Sequence, residues 1–397
     1  MSHFRKRIPR QLLSAMNEQV VFGRAGSASQ NAVKSEEAQD SEKKQDDDAD
    51  NTPKGKLVID ATCVPEDMKY PTDLGLLNDA REISERIIDR LWEDGRPVSV
   101  GQGIRKPRTY RCKARKAFLS IIRQKKPKSS VLCRGISQQI GFLKRNLATI
   151  GRMVANGYSL TVLDKGLYRK LLVSAEVLRQ QIILFSQWGQ QKRRIDDRIV
   201  SVHKPHVRPI VRGKARTAVE FGSKISASVI DGFFFVDRLS WDSYNECHDL
   251  QHQAQRFRER MGYYPASIHA EKIYRNRANI AWCKDNGIRL SGPPLGRPSS
   301  DEQKCKAQKK LAIQDERDRI IVEARFGNGK RHFSLGHLMT RLQETSETVI
   351  GIITLVMNLG KVLRDLFLAL LEMLYNALRA VVCVIYVEDK TTICRAG

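Results

Sequence analysis

Lys56-Leu-Val-Ile-Asp60-Ala is the stretch from which the rest of the chain is interpreted, because a short apolar run ends there in an acid. Such a run predicts a buried strand. A carboxylate at the end of a buried strand has to be paired, hydrogen-bonded or metal-bound, since an isolated buried charge is very costly. A second short strand, predicted from Pro265 to Ala270, ends in the same way at Glu271. Asp60 and Glu271 are therefore candidate site residues.

Glu323 is a third candidate acid, and it lies on a predicted helix rich in bases. Spacings of four and seven put Arg319, Glu323 and Lys330 on one helical face. Three carboxylates converging from two strands and a helix form an oxygen-rich site suited to Mg²⁺ or Mn²⁺. Two such ions about 3.5–4 Å apart can activate a water or a 3′-hydroxyl at a phosphodiester. The alternatives are a surface ion pair between Glu323 and Arg319, and Asp237 as a reserve acid.

The pattern around these acids changes from helix to strand and back. Apolar residues at spacings of three and four predict helices from Leu74 to Lys192. Asp231-Gly232, between two β-branched and aromatic runs, predicts a hairpin. Strands are predicted at residues 199–203, 218–230 and 232–239, and helices at about 246–261, 276–286, 300–325 and 335–379.

Charge identifies the partner class. The chain has 69 Lys and Arg against 44 Asp and Glu, a formal net charge of +25. A surface this basic indicates a polyanionic partner, with nucleic acid first and an anionic membrane surface second. Arg105 to Lys128 holds eleven bases and no acid, so it is the best candidate for tracking a DNA backbone. The bases predicted to contact DNA are Arg105, Lys106, Arg108, Arg111, Lys113, Arg115 and Lys116.

The eight cysteines are scattered, with no C-x-x-C pair. They favour neither a disulfide framework nor a zinc site, and a reducing compartment is the simplest interpretation. The apolar stretch from Val349 to Val387 is interrupted by charges, so no membrane span is predicted. We expect a cytoplasmic, nucleoid-associated protein.

Several segments resemble the conserved blocks of bacterial insertion-sequence transposases of the DDE type, in the same order along the chain. The third block of that family is Tyr, two residues, Arg, three residues, Glu, six residues, Lys, and here it is Glu316, Arg319, Glu323 and Lys330. The resemblance covers roughly residues 53–371. The other matching segments are Val58–Leu74, Val202–Lys214, Ser267–Arg275 and Gly287–Pro298.

The resemblance implies an α/β fold with a ribonuclease H-like mixed β-sheet flanked by helices, and a large helical insertion after the first strand. It implies Mg²⁺- or Mn²⁺-dependent cleavage and transfer of DNA strands at element ends, by a homo-oligomer on DNA, with no small-molecule cofactor. By position, the catalytic metal ligands are Asp60, Glu271 and Glu323, and the DNA contacts are Arg319, Lys330, Tyr274 and Arg275.

Three departures from the family pattern bear on activity. The second acid of the family is Asp, whereas Glu271 has an arm one methylene longer, and a misplacement of about 1 Å can cost about 100-fold in rate. Glu316 stands where the family has Tyr, and Ser2 to Arg7 resembles the end of an otherwise missing N-terminal helical domain. These departures predict impaired catalysis, and the alternative is an inactive DNA-binding relic or regulator.

The predicted organisation has seven parts. They are a remnant of the N-terminal helical domain (1–26), a disordered acidic linker (27–55), the first strand block of the catalytic domain (56–73), a basic helical insertion (74–197), the remainder of the catalytic domain (198–335), C-terminal helices (336–380) and a tail (381–397).

Overall fold

A mixed β-sheet of six strands is the centre of the described part of the chain. The computed structural model describes residues 8–32, 52–97, 105–190, 193–211, 219–292 and 302–393. The fold class is mixed α/β, as predicted. The strands are β1 (Lys56–Pro65), β2 (Arg208–Val211), β3 (Val219–Ile230), β4 (Phe233–Ser240), β5 (Ser267–His269) and β6 (Arg289–Leu290).

β1 is the central strand. It pairs antiparallel with β3 on one side and parallel with β5 on the other, and β6 continues the sheet parallel to β5. The strand order is β2-β3-β1-β5-β6, with β4 also paired to β3. Both faces of β1 are covered, because Leu57 and Ile59 enter one hydrophobic core and Val58 and Val64 enter another.

The chain between β1 and β2 forms a helical unit with its own hydrophobic core. Leu77, Ile87, Leu143 and Val177, from three different helices, are all fully buried in it. This separate core explains how a long insertion can interrupt a sheet between two of its strands. The helices are α2 (Asp73–Asp94), α3 (Arg111–Ile122), α4 (Ser129–Ala155) and α5 (Lys165–Ser186).

Helices cover the two faces of the sheet. Phe257 and Cys283, from two of these helices, pack with Leu57 and Ile59 on one face. Val322 and residues of the last helix pack with Val58 on the other. The remaining helices are α1 (Arg10–Ala32), α6 (Asp249–Met261), α7 (Arg277–Asp285), α8 (Glu302–His332) and α9 (Gln343–Ile393).

The predicted hairpin at Asp231-Gly232 is confirmed. Ile230 pairs with Phe233, so the turn has two residues, and both have positive φ angles of 49° and 78°. A two-residue turn of this kind matches the twist of the flanking strands, and Gly adopts a positive φ without a steric cost. The turn thereby fixes the register of β4 against β3.

Several predicted boundaries are wrong. Residues 199–203 form no strand, because Val200 and Val202 are buried in an irregular segment whose apolar residues resemble a strand pattern. β1 continues to Pro65, so Asp60 lies within the strand rather than at its end.

The helices also run further than their sequence patterns suggested. α1 extends to Ala32, into the predicted linker, of which residues 33–51 lie outside the described residues. α8 extends to His332, and α9 begins at Gln343 and is one helix of 51 residues that includes most of the predicted tail. Helix ends are set by capping and packing, which apolar periodicity does not reveal. Among the described residues, no helix combines the length and hydropathy needed to cross a membrane.

Candidate functional site

The sheet register brings Asp60 and Glu271 to the same level. Val58 of β1 pairs with His269 of β5 in the parallel ladder. Continuing this register by two residues sets Asp60 beside Glu271, which follows the end of β5. Neighbouring strands are about 4.8 Å apart, and residues at one level of a ladder share a face of the sheet. Two acids more than two hundred residues apart in sequence therefore converge.

α8 supplies the third acid, and ion pairs to β1 and β6 fix this helix to the sheet. Arg289 of β6 donates to both oxygens of Asp315, at 2.9 and 2.7 Å. Lys56 at the start of β1 donates to Asp318 at 2.8 Å. Asp315 and Asp318 lie about two turns or less before Glu323 on α8. Their ion pairs therefore fix where Glu323 is placed relative to β1.

The three acids line one cavity of about 900 Å³. Arg319 lies between the two glutamates: its Nη1 is 3.0 Å from Glu271 Oε1 and 3.2 Å from Glu323 Oε1. The ion pair that the sequence left open is thus present, but it includes Glu271 as well. Lys330, two turns further along the same helical face, donates to the hydroxyl of Thr62 on β1 at 2.8 Å. Lys330 of α8 therefore lines the cavity together with the three acids, and Arg319 of the same helix bridges two of them.

Asp60 is the acid whose charge is least compensated. Its Oδ1 accepts a hydrogen bond from the Ala61 backbone N–H at 2.7 Å. Burial raises the pKa of Asp60 to about 6, and the negative charges of Glu271 and Glu323 raise it too, whereas the Ala61 hydrogen bond and the Arg319 guanidinium act in the opposite direction. A buried carboxyl with a raised pKa, in a cavity next to two other carboxylates, is typical of a functional site.

The donor chemistry of these residues fits a hard divalent cation. Asp60, Glu271 and Glu323 present carboxylate oxygens to the cavity, and such oxygens are the ligands that Mg²⁺ and Mn²⁺ prefer. Within the part of the chain that the structure describes, no three His, Cys, Asp or Glu side chains lie close enough to hold an ion as they stand. Arg319 occupies the space between Glu271 and Glu323, which are half exposed at 49% and 51%.

Tyr274 and Arg275, both predicted to contact DNA, make their contacts within the protein. Tyr274 is fully buried, and burial raises the pKa of its phenol strongly. It is a core residue of the sheet rather than a surface contact. Arg275 is half-buried, and its Nη1 donates to the carbonyl oxygens of Leu290 and Ser291 at 2.8 and 2.6 Å. Arg275 therefore holds the chain that follows β6.

Asp237, the reserve acid, is not part of the cavity. Its carboxylate is fully buried and accepts hydrogen bonds from Arg260 at 2.9 Å and Gln253 at 3.1 Å. Arg260 also contacts Glu18 of α1 at 3.2 Å. Asp237 thus belongs to an ion-pair network that fixes α1 and α6 to the sheet.

The basic segment is only partly helical, and its bases differ in their surroundings. Arg105 to Tyr110 precedes α3 as an irregular segment. Lys106 and Arg111 both contact Asp89 of α2, each at 2.8 Å. The other predicted contacts are exposed: Arg105, Arg108, Lys113, Arg115 and Lys116.

The sequence reasoning missed polar residues in the cavity wall. Lys224 of β3 lines the cavity and pairs with Glu246, which also lines it. Away from the cavity, Glu66, one residue after β1, is buried against Lys204 at 2.6 Å and accepts from Ser346 of α9 at 2.7 Å. Lys204 lies within the segment Val202–Lys214, which holds four Lys and Arg residues, so the sequence carried no signal that this one is buried.

Comparison with protein families adds an independent finding. Residues 268–360 match the family model of the transposase DDE domain. The match includes Glu271, Arg319, Glu323 and Lys330, and it begins after Asp60. This part of the chain is therefore similar to a transposase DDE domain, which confirms the resemblance found in the sequence. No match was found among curated proteins.

Proposed function

We propose that this protein cleaves and transfers DNA strands at the ends of an insertion sequence in a metal-dependent reaction, using Asp60, Glu271 and Glu323. The observation that carries the proposal is that these three acids line one cavity, with Arg319 between two of them. The family match over residues 268–360 supports the same reaction class and implies DNA as a partner.

The fold assignment behind the proposal is a ribonuclease H-like sheet. In its support, three antiparallel strands (β4, β3 and β1) are followed across the sheet by two parallel ones (β5 and β6), and the helical unit follows the first strand. The corresponding domain organisation is a catalytic domain formed by residues 56–73 and 198–335, with residues 74–197 as an insertion.

The proposed metal is Mg²⁺ or Mn²⁺, held by Asp60, Glu271 and Glu323. When bound, such ions activate the attacking oxygen and stabilise the leaving oxygen of the phosphodiester. Arg319 bridges both glutamates, so it brings a positive charge to the side of the cavity where a phosphate would bind. Lys330 supplies a second positive charge from the next turns of α8.

We propose that exposed bases of residues 105–128 contact the DNA backbone. The same proposal includes the assembly of several copies on DNA and association with the nucleoid. Phosphate contacts give affinity without sequence information. The net charge of +25 supports this partner.

Glu271 decides between an active and an inactive transposase. The alternative function is a DNA-binding protein that no longer cleaves, and Glu271 favours it because its carboxylate reaches one methylene further than the Asp of the family. Ligands that have to be placed within about 0.5 Å tolerate such a change poorly.

A nicking assay on supercoiled DNA with Mg²⁺ or Mn²⁺ separates the two functions. We expect weak metal-dependent nicking by the natural protein, about 100-fold faster nicking by Glu271→Asp, and none by Asp60→Asn. Binding of the same DNA, measured at several salt concentrations, controls for folding. If neither the natural protein nor Glu271→Asp nicks while both still bind, the binding-only function replaces the proposal.

A further inference from the structure

The second half of α9 exposes an unusual amount of apolar surface. Up to Asn358 the helix is packed against the sheet: Ile350 and Met357 are buried, and Asn358 bonds to the Phe234 backbone. Beyond this point the helix continues to Ile393, a length of about 50 Å at 1.5 Å per residue. From Val356 onward, twelve large apolar side chains are 42–70% exposed: Val356, Leu359, Leu363, Leu366, Phe367, Leu368, Leu370, Leu371, Met373, Leu374, Tyr375 and Leu378.

The exposed residues include a heptad seam. Counting from Val356, apolar residues recur at alternating spacings of three and four, which are the a and d positions of a coiled coil. The seam consists of Val356, Leu359, Leu363, Leu366, Leu370 and Met373. Every charged residue between 356 and 379 stands at a b, c or f position, away from the seam: Lys361, Arg364, Asp365, Glu372 and Arg379.

The geometry points to self-association: we propose that two or more copies of this chain pack together through the seam of α9 between Val356 and Met373. A heptad seam is shaped to receive a partner with the same repeat, and a second copy of α9 has it. The inference concerns assembly without DNA or metal, so it does not depend on the proposed reaction.

Area and charge both favour a second copy as the occupant. At about half exposure, each large side chain offers roughly 100 Å², so the six seam residues, with Phe367 and Leu374 at the flanking e positions, offer about 800 Å² per chain. This exceeds the apolar patch of an ordinary monomer, about 300–600 Å², and suffices for a stable interface of about 1,600 Å² in total.

The charge of residues 356–379 favours a second copy over DNA or an anionic membrane as the partner of the seam. Two molecules with a net charge of +25 repel each other, yet residues 356–379 carry only three bases and two acids, so two copies can meet there with little repulsion. The same lack of bases disfavours DNA. A helix that lies on an anionic membrane has many bases along its polar face, and this segment does not.

The test is sedimentation velocity of the full chain without DNA or metal, at high salt and over a range of concentrations. Leu370→Glu introduces a charge into the seam, and we expect it to raise the dissociation constant by about a hundredfold. Leu368→Glu is the matched control: Leu368 is 55% exposed and Leu370 53%, but Leu368 occupies an f position on the opposite side of the helix. It should associate as the natural chain does, and circular dichroism should show equal helix content in all three proteins.

Three outcomes would overturn the inference. A natural chain that stays monomeric at every concentration rules out the interface. Equal dissociation of both variants shows that apolar surface in general, not the seam, drives association. Pelleting with anionic vesicles that competes with self-association, and that both substitutions abolish alike, assigns the helix to a lipid surface instead.

Discussion

Asp60 and Asp237 are aspartates on strands of one sheet, and they differ in how their charge is compensated. Asp237 on β4 is fully buried, and both of its oxygens accept hydrogen bonds, from Arg260 and Gln253. Asp60 on β1 accepts a hydrogen bond from its neighbour's backbone and faces two further acids, and its pKa is raised to about 6. The charge of Asp237 is thus balanced by Arg260, whereas the ionised carboxylate of Asp60 destabilises the folded protein.

This difference separates structural acids from site acids. A buried ion pair with satisfied hydrogen bonds holds its elements in one geometry, and here Asp237 and Arg260 connect β4 to α6. An undercompensated carboxylate destabilises the fold and persists where function requires it. The sequence alone gives no such distinction, since each acid simply follows an apolar run.

Of the changes that test this comparison, Asp237→Asn should have the largest effect, a loss of stability. The substitution leaves the buried Arg260 without its main counter-charge, and we expect the free energy of unfolding to fall by about 3 kcal/mol. Arg260 keeps its contact with Glu18, which limits the loss. Urea denaturation at neutral pH measures it. A loss well below 1 kcal/mol would mean that this ion pair does not stabilise the fold.

Asp60→Asn, the same chemical change on β1, should change the free energy of unfolding in the opposite direction. The pKa of Asp60 in the folded state, about 6, lies above its ordinary value of 3.8. The ionised carboxylate therefore destabilises the folded state fully above pH 6, less as the pH falls through 6, and not at all below about pH 4. At pH 8 we expect Asp60→Asn to gain about 2 kcal/mol.

Thermal or urea unfolding at pH 8 and at pH 4, without divalent metal, checks both the sign and the pH window. The gain should disappear at pH 4, where both proteins carry a neutral side chain at this position. A variant that is no more stable than the natural protein at pH 8 would show that Asp60 has a compensating partner, and the contrast with Asp237 would be lost.

The sequence predicted what depends on local pattern. The buried strand at Lys56, the hairpin at Asp231-Gly232 and the helical unit were expected, because apolar periodicity and turn residues act over short distances. That Asp60, Glu271 and Glu323 line one cavity was expected mainly from the family resemblance, since no local pattern connects them. The failures concern long-range partners. The bridge from Arg319 to Glu271 and the burial of Tyr274 depend on how α8 and β5 pack, over a separation that no local pattern encodes.

The bases of residues 105–128 also differ in whether an acid pairs with them. The effect expected here, on DNA affinity, is the smallest of those predicted. Arg115 and Lys116 are exposed, whereas Lys106 and Arg111 contact Asp89. If exposed bases contact phosphates, alanine at both Arg115 and Lys116 should reduce the salt slope of DNA binding by about two and weaken affinity roughly tenfold.

Alanine at both Lys106 and Arg111 removes the same formal charge and is the matched control. Asp89 already neutralises part of that charge, so we expect the salt slope to change by less than one. Fluorescence anisotropy with one labelled duplex at several salt concentrations compares the two double variants. Equal losses of affinity would mean that only net charge governs binding. A larger loss for the Lys106 and Arg111 variant would mean that phosphates replace Asp89 as the partner of these two bases.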